Sequence, residues 1–233
     1  MCGIAGLMKF GHDARADIDT VRHMCTVMAH RGPDDDGFYV SGAIGLGMRR
    51  LSIVDLARGH QPISNEDETA WIVFNGEIYN HAELREQLQA RGHRYRTNSD
   101  TETIIHLYEE YGRDCVQHLR GMFAFAIWDI KKQQLFIARD RLGIKPLYYR
   151  LTPQSLAFGS EIKVVLAAGT QPEFNRRALP EYLALGYVSG SESFYDGIAK
   201  LMPGHTMEVA LDGRVSIESY WDLPVTDEDS AYG

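Results

Sequence analysis

Cysteine stands at position 2, directly after the initiator methionine. Removal of that methionine is usual when the next side chain is small, and it would leave a thiol and a free α-amine on one residue. Both kinds of group titrate near neutrality, so a modest change of surroundings yields a thiolate beside a proton acceptor. A nucleophile that carries its own base needs no separate histidine, so acyl transfer can proceed without an evident triad. The competing reading is a chance cysteine at an unstructured terminus, and position alone favours it. Context shifts the balance, because Cys2-Gly3-Ile4-Ala5-Gly6 heads an apolar stretch whose glycines allow close backbone approach.

Acyl transfer through a tetrahedral intermediate also needs donors aimed at the developing oxyanion. Asn75-Gly76-Glu77-Ile78-Tyr79-Asn80 follows an apolar run at Trp71–Phe74. A side-chain amide and a neighbouring glycine N–H at a strand end would supply two donors. The same residues also read as an Asn-Gly turn followed by a helix cap. Cys25 falls on an apolar helix face and reads as core, and Cys115 belongs to a helix after Gly112. The nine histidines show no ligand spacing such as HExxH, and the cysteines form no CxxC pair, so no metal site is expected.

The elements that must position these groups are short and interleaved. Strands are expected at Ile4–Phe10, in several pieces across Phe38–Asp55, and at Trp71–Phe74, Met122–Ile130, Leu135–Arg139, Leu147–Tyr149 and Leu156–Gly159. Lys131–Gln134 and Asp212-Gly213 mark hairpins, the second between His205–Ala210 and Val215–Tyr220. Helices are expected over Ile18–Ala29, Glu161–Ala168 and Arg177–Leu185. Two more start at Asn80 and at Ser99, which lies at capping-box spacing before Glu102, with Ile104, Leu107, Tyr108 and Tyr111 as one apolar stripe. Antiparallel hairpins flanked by helices fit a layered α+β protein better than a parallel sheet.

The 233 residues allow one domain or at most two. A net charge of −8 gives no basic surface for nucleic acid or anionic lipid. No apolar run approaches a membrane span, no signal peptide is evident, and three cysteines without a disulfide pattern suit a reducing cytoplasm. We divide the chain into residues 1–210 and a terminal hairpin and acidic linker over 211–233, leading toward a further domain.

Several motifs stand in one order: Cys2 to Gly6, His30-Arg31-Gly32-Pro33-Asp34, Arg50-Leu51-Ser52-Ile53-Val54-Asp55, Gln61-Pro62, Asn75 to Asn80, Ser99-Asp100-Thr101-Glu102, Gly121 to Ala126 and Arg139 to Tyr149. Together they resemble the class II glutamine amidotransferase domain of glutamine-dependent asparagine synthetases. The resemblance implies an αββα sandwich of two antiparallel sheets between helical layers. It implies Cys2 as the nucleophile that forms a glutamyl thioester, and Asn75 and Gly76 as the oxyanion hole. Arg50 would hold the substrate α-carboxylate, a task that suits a guanidinium fork in adjacent Arg49 equally well. Glu77 and Asp100 would accept from the α-ammonium, although Glu77 also reads as a solvated carboxylate and Asp100 as a charge favoured at a helix start. Ile53 belongs to the same substrate site.

L-Glutamine is then the substrate, glutamate and ammonia the products. The ammonia would serve aspartate amidation by an ATP-dependent synthetase domain. The ATP loop Ser-Gly-Gly-x-Asp-Ser is not matched by Ser189-Gly190-Ser191-Glu192-Ser193. ATP and Mg²⁺ are therefore expected only in that further domain, with no cofactor in this chain. A homodimer is a further expectation of the resemblance. The alternatives are amidation of another carboxylate, or a module that senses glutamine without turning it over.

Overall fold

The apolar stretch after Cys2 carries no charge until Lys9, so it can sit only where both of its faces are covered. β1 (Gly3–Lys9) does so, with Ile4, Ala5, Leu7 and Met8 all buried. The computed structural model describes residues 1–51, 59–169 and 171–223. After β1 come α1 (Ile18–Thr26), β2 (Asp35–Ser41), β3 (Ile44–Arg50), β4 (Ile63–Ser64), β5 (Ala70–Ile78), α2 (His81–Ala90) and α3 (Asp100–Tyr111). The chain continues through α4 (Cys115–His118), β6 (Gly121–Asp129), β7 (Gln134–Arg139), β8 (Tyr148–Leu151), β9 (Ser155–Gly159) and α5 (Ile162–Leu166). α6 (Ala178–Leu185), β10 (Ala199–Lys200), β11 (His205–Ala210) and β12 (Val215–Ser219) complete it.

The strands form two six-stranded sheets, ordered β10-β8-β9-β1-β3-β2 and β12-β11-β7-β6-β5-β4. Each named neighbour pair is antiparallel, as in β1 with β3 and β5 with β6. Alternation then sorts the side chains. From β1 and β3, Ile4, Met8, Ile44, Leu46 and Met48 meet Val73, Ala124, Ala126, Leu135 and Ile137 of the second sheet in a central core. The opposite face of β1 turns Ala5 and Leu7 toward Val21, Met24 and Cys25 of α1 and Val164 and Val165 of α5. On the far side, Ile72, Phe74, Phe125 and Phe136 meet Leu84 and Leu88 of α2 and Ile104, Ile105 and Tyr108 of α3. The result is the αββα sandwich expected from the sequence, an α+β fold.

Several local expectations change. Of the range Phe38–Asp55, the described residues, up to Leu51, contribute to two seven-residue strands, β2 starting already at Asp35 and β3, rather than to several short pieces, and residues 52–55 lie outside the described residues. The strand expected at Trp71–Phe74 runs on to Ile78, so Asn75-Gly76 lies inside β5 instead of forming a turn. Ser99 caps α3 through its hydroxyl, which accepts from Thr101 N–H at 3.2 Å. Glu102, however, reaches past Ser99 and accepts from the N–H groups of Arg96 and Thr97, each at 2.7 Å, so the capping box is not closed. Asn80 precedes α2 without capping it, because its amide spans to Arg120 N–H and His118 C=O. The two-residue strands β4 and β10 are too short to leave a periodic signal. β12 lies beyond residue 210 and pairs with β11 from Val215 to Ser219, and the acidic stretch from residue 224 is outside the described residues. Among the described residues, no helix is long and apolar enough to cross a membrane.

Phe125 is fully buried against Phe123 and Phe136. Phe125→Ala should lower the unfolding free energy by about 3–5 kcal/mol, the usual cost of a large aromatic cavity, measured by urea denaturation.

Candidate active site

Strand parity decides what reaches the gap between the sheets. Cys2 continues the inward series of Ile4, Gly6 and Met8 and packs against the central core. Asn75 continues the series of Val73 on β5, from the other sheet. The two side chains therefore approach one end of the inter-sheet space from opposite walls. They share a cavity of about 170 Å³ whose walls also include Arg50, Gly76, Glu77 and Asp100. Six of the seven residues expected at the site are thus brought together. The seventh, Ile53, lies outside the described residues.

The nucleophile candidate is held by its neighbours. Arg31 donates from Nε to the Cys2 carbonyl at 2.9 Å and from Nη1 to Glu161 at 3.1 Å. Burial works against the charge on Glu161, but Arg31, His30 and Lys163 outweigh it and keep its carboxyl below the usual range. The Cys2 thiol is half-buried and points its sulfur to Leu51 C=O at 3.7 Å. Ile4 N–H donates to the Ser160 hydroxyl at 3.0 Å, which fixes the strand two residues on. Met1 forms part of the cavity wall, with its sulfur 3.6 Å from Lys145 Nζ.

The other two cysteines are chemically remote. Cys25 is buried under β3, and burial pushes its thiol up to about 12. Cys115 is completely buried, and the same cause raises its pKa as well. Neither forms thiolate near neutrality.

Across the cavity, Asn75 is only 1% exposed, and its Nδ2 finds no hydrogen-bond partner among the described residues. Leaving a buried amide donor unsatisfied costs about 1–3 kcal/mol. The sandwich keeps that donor in the wall of the cavity that Cys2 also borders. Gly76 is required by contact: a Cβ there would lie 2.2 Å from the carbonyl oxygen of Met122 and 2.8 Å from Phe123 Cα. Any side chain would push β5 off β6 and move Asn75.

Arg50 and Arg49 are separated by the same parity rule. Arg50 follows Ile44, Leu46 and Met48 into the gap, is buried, and lines the cavity. Arg49 faces outward, donating to Gly32 C=O at 3.0 Å and pairing with Asp36 at 3.3 Å. Glu77 is exposed at the cavity edge. Asp100 is buried at the first turn of α3 and accepts from Ile78 N–H at 2.9 Å. Burial raises its pKa, against the pull of that N–H and of His81.

Four contributors were not picked out from the sequence. Gln61 accepts from Phe74 N–H at 2.7 Å and donates to the Thr101 hydroxyl at 3.2 Å, tying β5 to α3 beside the cavity. Lys145 and Thr101 line the wall. Arg31 acts on the Cys2 backbone, a role that its place in the His30–Asp34 motif did not indicate. The one signal for it was Gly32, where a Cβ would lie 2.4 Å from the backbone of Arg49 and Arg50. That contact sets the turn against the end of β3.

The fold is thus a four-layer sandwich with a cysteine just ahead of a central strand and an asparagine in the opposite wall of the same cavity. The chain belongs to the glutamine amidotransferase domain family, whose model matches residues 1–221. It is 40% identical over 223 residues to asparagine synthetase [glutamine-hydrolyzing] 1 of Bacillus subtilis, covering 95% of this chain and 35% of that protein. It is 38% identical over 239 residues to amidase chyE of Penicillium rubens, covering 98% of this chain and 35% of that protein. The chain thus spans about a third of the length of these relatives. Among solved structures, the glutamine phosphoribosylpyrophosphate amidotransferase of B. subtilis shares the fold with a TM-score of 0.70 at 18% identity, over 94% of this chain and 49% of that one.

Brief treatment of the native chain with iodoacetamide should label Cys2 alone. Cys25 and Cys115 should react only after unfolding, as read by peptide mass mapping.

Proposed function

We propose that this chain hydrolyses L-glutamine to glutamate and ammonia through a thioester on Cys2. The observation that carries the reading is the buried Nδ2 of Asn75, a hydrogen-bond donor without a partner among the described residues, in the wall of the cavity that Cys2 borders. Glutamine offers three handles. Arg50 suits its α-carboxylate as a bidentate fork. Asp100, with Glu77 at the edge, suits its α-ammonium, and Ile53 is assigned to the same pocket. The side-chain amide then extends toward Cys2.

In this mechanism the Cys2 thiolate attacks the amide carbon, and the carbonyl oxygen becomes an oxyanion held by Asn75 Nδ2 and the Gly76 N–H. The Cys2 α-amine, freed by removal of Met1, carries the thiol proton to the departing nitrogen. Ammonia leaves and a thioester remains. Water adds to the thioester carbon, the same two donors hold the second oxyanion, and glutamate departs as the thiol reforms. Intact mass of active protein should therefore lack Met1.

The ammonia, on this reading, feeds an ATP- and Mg²⁺-dependent synthetase domain of the whole protein that amidates aspartate, supported by the similarity to asparagine synthetase. The residues up to about 210 would be the glutaminase unit, and 211–233 the passage toward that domain. The nearly equal similarity to amidase chyE supports a second acceptor, a different carboxylate. Ammonia-dependent product formation by the whole protein with aspartate and with other carboxylates separates the two. Three unpaired cysteines support a cytoplasmic setting.

Cys2→Ala should abolish glutamine hydrolysis with the fold intact by circular dichroism; appreciable turnover in that variant would sink the assignment. Asn75→Ala should lower kcat by about 10²–10³, the effect of deleting one oxyanion donor. The Asp100 carboxylate must be ionised to hold an ammonium group, and its pKa is raised. Lowering the pH should therefore cut kcat/KM for glutamine earlier than a surface aspartate would allow. Asp100→Asn should remove that acidic limb and raise KM, as a pH-rate profile would show.

A further inference from the structure

Away from the cavity, two histidines and two glutamates converge from three segments. Glu66 lies in the turn after β4, His93 in the connection between α2 and α3, and His106 and Glu109 on α3. One oxygen or nitrogen from each falls within a single sphere, all of these atoms within 4.8 Å of one another. His93 Nδ1 is 3.1 Å from Glu66 Oε1 and 3.8 Å from Glu109 Oε2. His106 Nδ1 is 3.3 Å from Glu66 Oε2 and 2.9 Å from Glu109 Oε2. Four donors at zinc bond lengths near 2.0–2.1 Å stand about 3.3 Å apart at tetrahedral corners. The four observed separations run from 2.9 to 3.8 Å, those to Glu66 being to its two different oxygens, and lie on either side of that edge.

The surroundings orient the four groups inward. Asn65 donates to Glu109 Oε1 at 2.7 Å, leaving Oε2 for the histidines. Arg94 N–H fixes Glu66 Oε1 at 3.0 Å. Both imidazoles present Nδ1 to the cluster and turn Nε2 outward to another carboxylate. For His93 that is Glu110, at 3.2 Å. For His106, which is completely buried, it is Glu102 at 3.7 Å, too far for a hydrogen bond, so Nε2 is left unpartnered. A histidine that ligates through one ring nitrogen donates the other N–H to a carboxylate, which fixes its tautomer. Here His93 meets that pattern through Glu110, while His106 Nε2 faces Glu102 from beyond hydrogen-bond reach. Ligation requires both imidazoles in the neutral form, and the two carboxylates would then bring two negative charges to the ion.

We infer that Glu66, His93, His106 and Glu109 form a structural binding site for a divalent transition-metal ion, with zinc the best match. Two nitrogen and two oxygen donors in a closed tetrahedron suit Zn²⁺ better than Ca²⁺ or Mg²⁺, which take six or more oxygens. The ion would tie the turn after β4 and the α2–α3 connection to α3, whose first turn lines the cavity.

The test uses the full chain, stripped by chelator, reloaded with zinc chloride and passed through gel filtration. Elemental analysis should find one zinc per chain, and the thermal midpoint should rise on loading. Cys2→Ala should retain the metal fully, which rules out the thiol as its ligand. His93→Gln should weaken zinc binding at least 100-fold. Glu110→Gln, which touches no ligand atom position, should weaken it about 10–100-fold. Zinc content no higher than that of His93→Gln would overturn the inference, leaving a cluster closed by a proton on a histidine. Loss of the zinc in Cys2→Ala would overturn it too.

Discussion

β1 is hydrogen-bonded along both edges, to β3 on one side and β9 on the other. That double pairing fixes the residue just ahead of the strand. A terminus is normally the most mobile part of a protein, and a nucleophile placed there would pay for its freedom in lost alignment. Here the residue ahead of β1 is held by the strand that follows it, and its own carbonyl is held by Arg31. Its sulfur must then point to the face that Ile4 and Met8 occupy. The opposing wall is equally constrained, since Asn75 sits midway between paired neighbours on β5 and β6. The Asn75 amide and the Cys2 thiol are thus positioned by two different sheets, and the central core is what keeps their separation fixed.

This explains why the motifs concentrate on glycine and arginine as well as on reactive groups. Gly76 permits the approach of β5 to β6 that puts the Asn75 amide in the gap. Gly32 permits the turn after α1 to lie on the end of β3, beside Arg31 and Arg50. Adjacent Arg49 and Arg50 divide their tasks by parity alone. One secures the Gly32 turn, and the other enters the cavity.

A layered α+β class was legible in the sequence from short-range rules, while the αββα sandwich and most of the cavity came from the resemblance of its ordered motifs to an amidotransferase domain. Alternation marked β1, β6 and β7, helical spacing marked α1 and α3, and ordered motifs marked Cys2, Arg50, Asn75, Gly76, Glu77 and Asp100. What escaped was set by partners far along the chain. Glu102 and Asn80 look like local helix-start residues, yet their side chains serve the N–H groups of Thr97 and Arg120 instead. Gln61 and Arg31 act through backbone atoms, and no residue type announces such a task. The histidines at 93 and 106 sit thirteen positions apart across a loop, so a search for ligand spacing on one helix passes over them.

α3 connects the two parts of the molecule that chemistry singles out. Its first turn presents Asp100 and Thr101 to the cavity, and Glu102 there secures the preceding loop at Arg96 and Thr97. One turn further on, His106 and Glu109 meet Glu66 and His93. A helix advances about 1.5 Å per residue, so Asp100 and His106 are separated by roughly 9 Å along a rigid rod. The buried Asp100 and Glu102 at one end and the buried His106 further along make the rod costly to misplace, because each faces polar groups of other segments. Whatever closes the histidine–glutamate cluster therefore also bears on Asp100, and through it on how firmly the cavity holds an ammonium group.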